Sequence, residues 1–75
     1  MYTKDKRLAH LNTESGNLNV RFVPHNNYWT LELRADSESR YTAFKQYRKK
    51  TGAWYVARVI ARRFGFDSAV LRSAM

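Results

Sequence analysis

Leu18-Asn19-Val20-Arg21-Phe22 and Trp29-Thr30-Leu31-Glu32-Leu33-Arg34 alternate apolar and polar residues without a break. A period of two places every second side chain on one side of an extended chain, so both runs predict half-buried strands. Pro24-His25-Asn26-Asn27 separates them. Proline lacks the donor a sheet ladder needs, and asparagine tolerates turn geometry, so this segment predicts a hairpin loop. The expected pairs are Phe22 with Trp29, Val20 with Leu31 and Leu18 with Leu33. A slip of one residue would pair Phe22 with a polar neighbour and turn the apolar set outward, so the register is expected to be well specified. A two-stranded hairpin is marginal by itself, and its apolar face needs a cover.

The residues downstream predict a helical cover. Asp36 or Ser37 suits a helix N-cap, and Glu38 falls in the first turn. Between Glu38 and Lys50, Tyr41, Phe44 and Tyr47 recur three apart, while Thr42, Lys45 and Lys49 share another face. Gly52 is expected to end this helix. A second helix is expected from about Ala53 to Phe64, with Trp54, Ala57, Ile60, Ala61 and Phe64 inward and Arg58 and Arg62 outward. Gly65 stops it, and Asp67 is expected to cap a last short helix from Ser68 to about Ala74. The expected fold class is therefore α+β, an N-terminal antiparallel β-hairpin packed on two or three C-terminal helices. The whole of 1–75 reads as one small domain: an ambiguous segment 1–16, the hairpin 17–35 and a basic helical part 37–75.

Ala57 to Met75 resembles a helix-turn-helix unit. Ala61 and Gly65 stand at the separation that motif uses, and Ile60, Phe64, Phe66, Leu71 and Ala74 occupy its buried offsets. The resemblance implies that Ser68 and Arg72 face base edges, with Arg72 able to bond guanine at two points. It also implies that Arg58, Arg62 and Arg63 contact phosphate. Lys45, Arg48, Lys49 and Lys50 form a second basic stripe suited to phosphate or to an acidic partner surface. The rings of Tyr28, Tyr47 and Tyr55 are the ones expected to be partly exposed beside these cations, as base stacking would require.

Charge asymmetry supports a polyanion partner. The 75-residue chain carries 14 Lys and Arg against 6 Asp and Glu, a net charge of +8. Up to Ser39, five cations balance five acids, whereas from Arg40 onward nine cations face Asp67 alone. Such an imbalance marks an electrostatic footprint for nucleic acid or an acidic surface. There is no cysteine and no run of about 20 apolar residues. Neither a secretory leader nor a membrane span is expected, and the compartment is read as cytoplasmic. His10 and His25 lie apart, and a basic ribonuclease built on His25 is the one enzymatic reading the composition leaves. No enzyme activity, cofactor or metal is expected. The leading expectation is a small basic DNA- or RNA-binding accessory or regulatory protein, of a style common in mobile elements such as phages. The alternative is an inhibitor or modulator that docks its basic helical face on an acidic surface of a larger, nucleic-acid-processing partner. A homodimer is compatible with both.

Overall fold

The computed structural model describes residues 2–72. Two short 3-10 segments, Tyr2–Lys4 and Lys6–Leu11, open the chain. Strands β1 (Asn17–Pro24), β2 (Trp29–Ala35) and β3 (Thr42–Tyr47) follow. Helix α1 (Lys50–Arg63) and strand β4 (Ser68–Leu71) complete it. The four strands form one mixed sheet in the order β3-β2-β1-β4, with β4 parallel to β1 and the other pairs antiparallel.

β1 and β2 pair antiparallel, in a register two residues from the expected one. Phe22 lies opposite Leu31, Val20 opposite Leu33 and Leu18 opposite Ala35. A two-residue slip leaves every apolar side chain on the same face, so the alternation could not distinguish the two registers. Pairing continues to Pro24 and Trp29, which shortens the loop to residues 25–28, closed by His25 N–H donating to the Tyr28 carbonyl at 2.9 Å.

The expected architecture of a hairpin covered by two or three helices is corrected. Among the described residues there is a single α-helix, and two of the expected helical segments contribute strands. The segment read as a helix over 38–50 contains β3. Its cause is a β-bulge: Ala43 pairs with Glu32 and Lys45 with Leu31, leaving Phe44 as an extra residue without a cross-strand partner. The insertion breaks the period of two and spaces Phe44 and Tyr47 three apart, which mimics a helical repeat. Aromatic and β-branched residues (Tyr41, Thr42, Phe44, Tyr47) favour the strand.

α1 begins three residues earlier than its apolar pattern indicates, so Gly52 sits in its first turn rather than ending a preceding helix. Its buried side is Ala53, Ala57, Ile60 and Ala61. Three alanines at four-residue spacing let the helix lie close to the sheet. The helix ends in a Schellman motif: Gly65 has φ +79°, Phe66 N–H donates to the Ala61 carbonyl at 2.9 Å, and Gly65 N–H to the Arg62 carbonyl at 3.2 Å. The Ala61–Gly65 spacing thus belongs to a helix stop and not to a helix-turn-helix. Beyond it, Asp67 N–H donates to the Gly16 carbonyl at 2.8 Å and lays residues 68–71 along β1 as a strand. The expected terminal helix, and the helix-turn-helix geometry that needed it, are therefore overturned; its last positions, 73 and 74, lie outside the described residues.

Leu8 and Leu11 from the second 3-10 segment join Leu18, Val20, Phe22, Leu31, Leu33, Ala35, Phe44, Phe66 and the helix residues in one core. Asp5 caps that segment by accepting from Arg7 N–H at 2.9 Å, and His10 pairs with Glu38 to tie it to the β2–β3 connection. No helix among the described residues is long and apolar enough to cross a membrane.

Candidate functional site

The core lies on one side of the sheet only. α1 and both 3-10 segments contribute side chains to that same core, so no helix covers the other side. Strand alternation sets its residues: Asn19, Arg21 and Val23 from β1, Thr30, Glu32 and Arg34 from β2, Ala43 and Gln46 from β3, and Ser68 and Val70 from β4. Antiparallel sheets commonly leave one face to water. Here that face is polar and carries fixed arginines.

Arg21 and Glu32 are direct cross-strand partners and form an ion pair, with Arg21 Nε 2.9 Å from Glu32 Oε1. The Arg21 guanidinium lies 4.1 Å from the centroid of the Tyr41 ring, and that of Arg34 lies 5.4 Å from it. Arg34 also donates to the Glu38 carbonyl. Each guanidinium is thus held by neighbours within the fold.

Asn19 organises the other end of this face. It is fully buried. Its Nδ2 donates to the Arg34 carbonyl at 3.1 Å and to Asp36 Oδ1 at 2.9 Å, and its Oδ1 accepts from Arg72 Nε at 2.8 Å. Asp36 also accepts from the Asn17 backbone N–H at 3.0 Å. The Asn17 N–H, then the Asn19 amide, hold the Asp36 carboxyl below its ordinary pKa. Arg72 is further anchored by its backbone N–H, which donates to the Val20 carbonyl at 2.7 Å.

A second feature adjoins the β3 edge. Arg48 and Lys49 form the turn into α1, and Lys50 is its first residue. Lys49 occupies the N-cap without a capping side chain, and the first turn holds no acid. The positive end of the helix dipole therefore meets three cations, an arrangement unfavourable by roughly 0.3–1 kcal/mol per charge. Lys50 Nζ lies 4.6 Å from the Trp29 ring centroid, and Lys45 Nζ 5.3 Å from that of Phe44. Among the described residues, none of Lys45, Arg48, Lys49 and Lys50 forms an ion pair.

The residues expected to act together are divided by the fold. Lys45, Arg48, Lys49 and Lys50 remain neighbours, but as a strand edge and a turn rather than a helical stripe; Lys45 and Lys49 are not one helical turn apart. Arg58, Arg62 and Arg63 lie on α1, on the covered side of the sheet. Arg62 and Arg63 border a depression of about 550 Å³ with Tyr2, Tyr55 and Val59. Ser68 begins the edge strand β4, where its Oγ donates to Asn17 Oδ1 at 3.0 Å, so it does not project from a recognition helix. Arg72 follows the same strand and is fixed to Asn19. Tyr55 is 69% exposed, whereas Tyr28 and Tyr47 are half-buried. Sequence reasoning left Arg21 and Arg34 out of the candidate site because they lie outside the basic C-terminal run, and it placed Tyr41, one of the aromatics interleaved with the cations, on a presumed helix. The alternation in β1 and β2 had already turned Arg21 and Arg34 away from the core. Among the described residues, no group of three or more His, Asp or Glu side chains is placed to hold a metal ion. No protein family, curated protein or solved structure matches the chain.

Proposed function

We propose that the protein is a small, non-catalytic nucleic-acid-binding accessory or regulatory protein that seats duplex DNA on the open face of its sheet. The observation that carries this reading is the set of pre-oriented guanidiniums on that face, Arg21 and Arg34 against Tyr41 and Arg72 against Asn19. The four strands β3, β2, β1 and β4, spaced at about 4.8 Å, span roughly 14 Å, so the face lies across the mouth of a B-DNA major groove, about 12 Å wide, and its arginine side chains reach into it. The deep, narrow major groove of A-form RNA excludes such a surface. Thr30 and Gln46 add hydrogen-bonding side chains between the arginines. Arg48 and Lys49 then meet phosphates at the groove edge, which relieves the charge crowded at the α1 N-terminus. A cysteine-free chain of this kind fits action in the cytoplasm.

A second reading is favoured by Arg58, Arg62 and Arg63, which point away from the open face and have no ion-pair partner among the described residues. They suit an acidic surface of a larger protein. The test is a fluorescence-anisotropy titration of labelled duplex DNA, single-stranded DNA and duplex RNA at two salt concentrations. The proposal expects duplex DNA to bind best, with log affinity falling by about 0.9 per phosphate contact per decade of salt. Failure to bind any nucleic acid, together with recovery of an acidic protein partner, would replace it with the second reading.

A further inference from the structure

The hairpin tip carries an aromatic pair that the fold does not need for its core. Residues 25–28 connect β1 and β2, and His25 is exposed. An exposed loop histidine ordinarily samples several rotamers. Here the ring is held by two contacts, and the backbone beneath it by a third. It stacks on Tyr28 with centroids 4.4 Å apart and planes 17° from parallel. Its Nε2 lies 2.8 Å from Thr30 Oγ1. Its backbone N–H closes the loop on the Tyr28 carbonyl. Thr30 belongs to the open side of the sheet, so the clamp places the His25 ring on that side. One ring face is covered by Tyr28, and the other is left to solvent.

A cation follows in sequence where the paired strands end. The last pair between β2 and β3 is Trp29 with Tyr47, and the next residues along the two chains are Tyr28 and Arg48. The tip therefore has an exposed aromatic stack on one chain and a cation one residue beyond the paired strand on the other. Such a surface takes a planar aromatic ring whose attached group is anionic, and a nucleotide has both features. A base within a paired duplex cannot use it, because both of its faces are occupied by neighbouring bases. An unpaired base, bulged out or at a strand end, offers a free face.

We infer that the clamped His25–Tyr28 pair is a stacking site for an unpaired nucleobase next to the duplex held on the open sheet face, with Arg48 on the flanking phosphate. This rests on the nucleic-acid reading above and adds a preference that reading does not require. Base stacking tolerates any base, so the site discriminates by pairing state and not by sequence.

The test compares one labelled 20-base-pair duplex with the same duplex carrying a single unpaired central thymine, titrated with the wild type, His25→Ala and His25→Phe. The wild type is expected to favour the bulged duplex by roughly 5- to 150-fold, the range that one stacked base provides. His25→Ala removes that preference and leaves affinity for the paired duplex unchanged. His25→Phe keeps a ring but loses the bond to Thr30, so it retains the preference. Equal wild-type affinity for the two duplexes overturns the inference while leaving the open-face reading standing. So does a preference that survives His25→Ala, or an equal loss on both duplexes. Failure of the wild type to bind either duplex removes the underlying reading and this inference with it.

Discussion

Replacing Asn19 with alanine tests the joint that positions the open face. Asn19 is fully buried and makes three side-chain hydrogen bonds, one to a backbone carbonyl and two to ionised groups, Asp36 and Arg72. A neutral bond contributes about 0.5–1.5 kcal/mol and a charged one about 1.5–3, so the uncorrected sum is roughly 3.5–7.5 kcal/mol. Asp36 and Arg72 are exposed and regain water once released. The Arg34 carbonyl keeps its lone pairs for the ladder. The net loss is therefore about 2–4 kcal/mol. For a domain this small that lowers the melting temperature by roughly 10–25 °C. The assay is thermal and urea unfolding followed by circular dichroism. Asn19→Leu restores volume without the polar atoms and is expected to lose as much as Asn19→Ala, which separates hydrogen bonding from packing. Arg72→Ala removes one bond of the three and costs least. An Asn19→Ala protein melting within a few degrees of wild type refutes the reasoning, since the network would then be no better than its hydrated parts.

Lys49→Asp gives the uncapped α1 N-terminus a capping side chain and a charge that suits the dipole. It is expected to raise stability by about 1 kcal/mol and to weaken duplex binding, an opposed pair of effects read from one urea titration and one anisotropy titration. Acid sensitivity follows from Asp36 and Asp5, both held below the ordinary carboxyl pKa, the first by the Asn17 N–H and Asn19 amide and the second by Arg7. A depressed folded-state pKa contributes stability above the unfolded value of about 3.9 and loses it as pH falls through the folded value. Melting temperature should thus fall below about pH 4, and Asp36→Asn should flatten that acid limb while lowering the neutral plateau.

Parts of this fold were legible because their signals were local. In β1 and β2 the alternation of Leu18 to Phe22 and Leu31 to Ala35 identifies strands and faces, though it cannot separate registers two residues apart. The alanine and isoleucine repeat of α1 and its stop at Gly65 were likewise visible. β3 was hidden by one inserted residue, Phe44, which converted strand spacing into helix spacing. β4 was hidden because its partner is β1, some fifty residues earlier, while Asp67-Ser68 looks like a helix cap. The candidate site suffered from the same gap. Net charge drew attention to the cations after Arg40, yet Arg21 and Arg34 sit in the charge-balanced half. Their role depends on which side of the sheet the helix leaves open, and that is settled by tertiary packing.

The most direct test of the central claim is a nitrogen-proton correlation NMR titration of the 75-residue protein with a short DNA duplex. The account predicts that the largest shifts fall on Arg21, Thr30, Arg34, Ala43 and Gln46 and on the Arg48–Lys50 turn, with Arg58 and Arg62 of α1 nearly still. Shifts concentrated on Arg58, Arg62 and Arg63, with the open face unmoved, would contradict it.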